Sequence, residues 1–152
     1  MKLAEALILR ADCQKRLAQL QQRLVRSAVI QEGEAPPENP QGLIAEVDAI
    51  VTQLTRLVQH INKTNALTVF QNEATIADAL ATRDILLLKQ RTYTALVDAA
   101  ANTGTRYSVS EIKLLSTVNV AEIQTQTDHL AREIRQLDTQ IQQANWAVDL
   151  ME

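Results

Sequence analysis

Residues 120–148 read VAEIQTQTDHLAREIRQLDTQIQQANWAV, and this stretch decides the fold. Its apolar side chains fall at Val120, Ile123, Leu130, Ile134, Leu137, Ile141, Ala144 and Val148, with only Thr127 interrupting an alternation of three and four. That is an a/d seam held over about four heptads. A helix carrying such a stripe does not stay folded alone in water, so it must lie along partners of similar length.

Working outward, the rest of the chain supplies those partners. Over about residues 2–29, Leu3, Ala6, Cys13, Leu17, Leu20 and Leu24 keep heptad spacing, and Arg10 breaks the stripe. Over about 41–62, Leu43, Val47, Ile50, Leu54, Leu57 and Ile61 give the same series. Ile44, Val51 and Val58 add a second row there, which predicts contact with two neighbours. A third helix is predicted over about 75–101, opened by Thr75 with Asp78 three residues on as a capping-box variant. Its Ile85-Leu86-Leu87-Leu88 turn is apolar on every side, which predicts wide burial. Asn119 caps the fourth helix, which extends to about residue 149, with Glu122 at N3. Residues 31–40 form an acidic loop holding all three prolines.

Composition agrees. The chain has 152 residues, enough for one domain, so residues 1–152 are read as a single helical domain. Hydrophobic residues make up 46% and aromatics only 3%, so the core must be Leu, Ile, Val and Ala. Three glycines and three prolines are too few for the turns of a sandwich or barrel. The expected fold is all-α, an antiparallel four-helix bundle of long coiled-coil-like helices. Two connections carry β-prone pieces, Leu67-Thr68-Val69-Phe70 and residues 112–118. If both are strands, they are expected to pair between subunits, since a lone strand leaves its backbone unpaired.

The net charge is −3 with both signs interspersed, which advertises neither nucleic acid nor an anionic membrane. Cys13 alone makes no internal disulfide and fits a reducing compartment; as part of the seam it reads as a small buried hydrophobe. No run approaches the 18 or so apolar residues of a membrane span, and the first residues lack an apolar signal core. A cytoplasmic protein without a membrane role is expected.

Catalytic sets are missing from the pattern. Leu57 and Gln126 stand three residues before His60 and His129, so neither histidine completes the Glu-x-x-His of a di-iron bundle. One Cys and two His do not suggest zinc, and no Gly-rich phosphate loop or nucleophile elbow occurs. No metal and no cofactor are implied. Three polar clusters remain as candidate ligand-binding or register-locking sets. They are Asn62, Thr64 and Asn65 with His60 and Lys63, read as the capped end of the second helix; Asp78, Arg83 and Asp84; and Arg106 and Tyr107 with Ser108 and Ser110. Trp146, the one tryptophan, flanks the seam of the fourth helix as a sealing or interface residue.

Motifs spread along the chain carry a resemblance. They include Glu5-Ala6-Leu7, Arg10-Ala11-Asp12, Gln14-Lys15-Arg16, Glu32-Gly33-Glu34 and Ile61-Asn62-Lys63-Thr64-Asn65. Further on come Ala77-Asp78-Ala79-Leu80-Ala81-Thr82-Arg83-Asp84, Arg106-Tyr107-Ser108, Ser110-Glu111-Ile112-Lys113, Ser116-Thr117-Val118, Glu133-Ile134-Arg135-Gln136-Leu137-Asp138 and Asn145-Trp146. In these the chain resembles the septicolysin-like family of small bacterial proteins, whose function is not established. The family label implies a lytic toxin; the chain offers no membrane span and no Trp-rich membrane loop.

The leading expectation is a non-enzymatic helical protein that forms a homo-oligomer and acts as a scaffold or binding module. One alternative is RNA binding through Arg10, Lys15, Arg16, Arg23 and Arg26 of the first helix. Another is small-molecule binding or catalysis where the second helix meets the third.

Overall fold

The structure is a computed structural model that describes residues 1–102 and 112–152. It is all-α, as expected. Helices α1 (Leu3–Ser27), α2 (Pro40–Leu67), α3 (Ile76–Ala101) and α4 (Val120–Ala147) account for most of it. A two-stranded antiparallel hairpin, β1 (Val69–Gln71) and β2 (Ala74–Thr75), fills the connection before α3. The chain forms two compact units, one of residues 1–69 with 144–152 and one of residues 70–143.

In the first unit α1 and α2 pack against each other as an antiparallel pair. One set of buried positions recurs every seventh residue, Ala6, Cys13, Leu20 and Ser27 on α1 and Leu43, Ile50, Leu57 and Thr64 on α2, joined by Leu3, Ala4 and Ile61. Between them Arg10, Leu17 and Leu24, with Val47 and Leu54, are half-buried. This is the a/d seam read from the sequence, with the Arg10 break kept inside it; the Arg10 Nε is buried and meets no hydrogen-bond acceptor. Of the second row of α2, Ile44 and Val51 are exposed while Val58 is half-buried.

α2 starts at Pro40, whose missing N–H is no loss in a first turn, behind Asn39, whose Oδ1 accepts from the Gln41 N–H at 3.1 Å. The helix ends five residues later than expected. Asn62, Lys63, Thr64 and Asn65 lie inside its last turns rather than in a cap. The reason is Thr64. Its hydroxyl donates to the His60 carbonyl at 2.8 Å and accepts from the Met151 N–H at 2.9 Å, so a residue that often frays a helix is satisfied within one.

Met151 belongs to a short extended segment that follows α4. Leu3 N–H donates to the Val148 carbonyl at 3.0 Å and Leu150 N–H to the Met1 carbonyl at 2.9 Å, an antiparallel bridge centred on Lys2 and Asp149. Lys2 adds an ion pair to Asp149 at 2.9 Å, and Glu5 reaches back to the Lys2 N–H at 2.7 Å. At the start of α1 the Lys2 amide is thus answered by Glu5 and the Leu3 amide by the extended segment.

In the second unit the strand expectation needs correction. Residues 112–118 are not a strand, and β1 pairs with β2 immediately across Asn72-Glu73. Both turn residues take positive φ, 48° and 69°, the hand that matches the twist of a two-residue hairpin. A local partner removes the need for pairing between subunits. Thr75 then caps α3 as expected: its Oγ1 accepts from the Asp78 N–H at 3.2 Å, while its own N–H donates to Asp78 at 2.8 Å. Asn119 likewise caps α4, its Oδ1 accepting from the Glu122 N–H at 3.2 Å.

α3 carries two heptad series. Ile76, Ala79, Arg83, Leu86, Gln90, Tyr93, Val97 and Ala100 are buried or half-buried. Ala81, Ile85, Leu88, Thr92, Ala95 and Ala99, spaced four and three by turns, are all exposed. The wide burial expected of 85–88 is therefore not found: Ile85 is 63% exposed and Leu88 54%. An apolar turn on a helix predicts that both sides want partners, not that one chain supplies both.

Candidate functional site

The polar clusters have distinct fates. In the first unit Thr64 is fully buried and holds Met151, while Asn62 is exposed and Asn65 half-buried. Lys63 Nζ reaches the Glu152 carbonyl oxygen. Trp146 projects into solvent at 56% exposure, beside buried Asn145.

In the second unit Asp78 is occupied with Thr75, whose backbone N–H and hydroxyl hold its carboxyl below the usual range. Arg83 pairs with Asp84 at 3.0 Å and reaches Asp138 of α4 at 3.3 Å. The Arg83 side chain is only 26% exposed while that of Asp84 is 63% exposed, so Asp84 offers a carboxylate oxygen to solvent. Arg106 and Tyr107 lie outside the described residues.

The acidic loop is anchored rather than free. Arg23 clasps Glu38 through Nε at 2.9 Å and Nη2 at 2.5 Å, with Glu46 at 3.9 Å. The hydrogen bonds from Arg23 hold the Glu38 carboxyl below its ordinary range. This bidentate pair also takes up one of the five basic side chains of α1.

Where α1, α2 and the extended segment meet, an open groove of about 390 Å³ is floored by Leu9, Leu57 and Leu150 and edged by Arg56 and His60. It was not anticipated, because its walls come from residues far apart in the chain. Among the described residues no group of three or more His, Cys, Asp or Glu stands close enough to hold a metal ion. Among them too, no helix is long and apolar enough to cross a membrane. Cys13 is a free cysteine buried in the seam of α1.

The feature with the largest reach is the exposed series of α3. Ile85, Leu88 and Leu96 stand on one face with Ala81, Ala95 and Ala99 filling the gaps, over about 27 Å of helix. Lys89 lies over the Tyr93 ring at 5.5 Å beside it, and Arg91 has no ion pair among the described residues.

Comparison with solved structures finds the same fold elsewhere. A crystal structure of a functionally unknown conserved protein from Corynebacterium diphtheriae is 43% identical, with a TM-score of 0.94 over 99% of each chain. No curated protein matches. Neither the family match nor the solved structure carries the septicolysin-like label; both describe proteins whose function is unknown. With residues 10–150 matched, the chain belongs to the family of unknown function DUF6847.

Proposed function

We propose that this protein is a non-enzymatic, self-associating helical module that serves as a scaffold or binding unit. One observation carries the reading: α3 keeps a second heptad series in solvent, with Ile85 and Leu88 more than half exposed. A monomeric protein rarely leaves a contiguous apolar stripe uncovered, because covering it yields roughly 25 cal/mol per Å². The candidate polar residues then act mainly as structural locks. Asp78 closes a cap, Arg83 ties α3 to α4, and Thr64 fixes the extended segment. Trp146, exposed beside a buried neighbour, suits a further contact.

The test is sedimentation of the full chain over a hundredfold range of concentration. A mass that rises toward a multiple of the 16.9 kDa chain supports the proposal. A monomer mass at every concentration refutes it.

A second reading, binding of a small anionic amphiphile, is favoured only by the groove beside Arg56 and His60. A fatty-acid probe that raises the melting temperature of the wild type but not of Arg56→Gln would support it. No shift with the wild type would remove it.

A further inference from the structure

The exposed series of α3 has a charge pattern that selects its occupant. We infer that it is covered by α3 of a second copy, laid antiparallel across a two-fold axis, with Ile85 against Leu88 of the other copy. This rests on the self-association proposed above and names its surface.

Two α3 helices can be set antiparallel in registers one heptad step apart, and the layers differ. In one register Ile85 meets Leu88 of the second copy twice over, and Ala81 meets Thr92. The two largest exposed side chains of the series then pack on each other, and a small residue lies beside a β-branched one. In the next register Ile85 faces Ala95, and Leu88 faces Thr92, which scatters the apolar area. Antiparallel pairing also sets the helix dipoles against each other favourably.

Charge makes the same choice. Asp84 and Arg91 flank the series on one side, one heptad apart. The register that joins Ile85 to Leu88 also brings Asp84 of each copy to Arg91 of the other. The neighbouring register would instead bring Arg91 to Arg91 and Asp84 to Asp98, like charge to like. Both members of the favoured pair are available. Asp84 is 63% exposed and only half engaged by Arg83, and Arg91 has no ion pair among the described residues. A parallel pair would instead need Lys89, which is stationed over the Tyr93 ring. The turn 85–88, too apolar for a surface, and the charge pair beside it thus find one explanation.

The experiment uses oxidative cross-linking of the full chain. Ala81→Cys with Thr92→Cys introduces two thiols on exposed small residues, about 16 Å apart along one helix and so unable to join within it. The native Cys13 is buried. The expected result is a covalent dimer from the double variant and none from Ala81→Cys alone. Asp84→Arg alone should weaken dimerisation roughly tenfold, and Asp84→Arg with Arg91→Asp should restore it. Circular dichroism matching the wild type keeps folding out of the comparison.

Cross-linking by Ala81→Cys alone would mean a parallel pair and would overturn the inference. A dimer by sedimentation that never cross-links, and ignores the charge swap, would place self-association on another surface. That outcome overturns this inference while leaving the proposed function standing. A wild-type monomer at all concentrations overturns both, and leaves the series to a different protein partner.

Discussion

Replacing Thr64 by valine tests how the first unit is locked. The two side chains have nearly the same shape, so packing in this fully buried position is preserved while the hydroxyl is lost. Two hydrogen bonds go with it. The donation to the His60 carbonyl at 2.8 Å matters little, because that carbonyl also belongs to the helix ladder. The acceptance from the Met151 N–H at 2.9 Å matters more, because that amide is partly buried and relies on the Thr64 hydroxyl. An unmade bond of this kind costs about 1–3 kcal/mol when buried, and partial exposure puts the expectation at about 1–2 kcal/mol. With a urea slope of about 2 kcal/mol per M, the midpoint should fall by about 0.5–1 M. Hydrogen exchange supplies the site-specific readout: the Met151 amide should lose protection while amides of Leu20 and Ile50 keep theirs. Thr64→Ser separates the causes. It keeps the hydroxyl and loses one methyl group, so it should cost about 0.8 kcal/mol and leave Met151 protected. A valine variant as stable as the wild type, with Met151 still protected, would refute the reasoning.

Leu57, buried where α2 faces α1 and forms the groove floor, should cost about 2–5 kcal/mol when replaced by alanine, read by urea unfolding. Glu73→Gly should stabilise the hairpin by up to about 1 kcal/mol, because Glu73 holds φ at 69° where glycine is unstrained; an unchanged or lower melting temperature would contradict the turn assignment. The Asp78 and Glu38 carboxyls are held below their ordinary range, by Thr75 and by Arg23, so the unfolded chain binds their protons first as pH falls. Their contribution is complete above the unfolded carboxylate range near pH 4 and disappears as pH drops through the lower folded values. Urea midpoints should therefore fall below about pH 4, and less steeply in Asp78→Asn with Glu38→Gln; equal slopes would contradict this.

Much of the architecture could be read in the residues because heptad spacing and caps are local signals. The α4 seam, the Thr75–Asp78 box and the Asn119 cap each need only a few neighbouring positions, and each is found. The hairpin was hidden because Asn72-Glu73 lacks the glycine that usually marks such a turn. The end of α2 departs from expectation for a different reason. Asn62 to Asn65 look like a cap, and what keeps them helical is Met151, 87 residues further on. Ile85 and Leu88 depart from the expected burial because hydrophobicity records a demand for burial without saying which chain meets it. The groove beside Arg56 and His60 shares the difficulty of α2, since Leu9, Leu57 and Leu150 have no local relation.

Native mass spectrometry of the wild type beside Ile85→Glu with Leu88→Glu, both purified gently at low salt, addresses self-association through α3 most directly. The expected result is a dimer of the wild type with no additional mass, and a folded monomer of the variant. A wild-type monomer, or a dimer that survives both glutamates, would contradict the account.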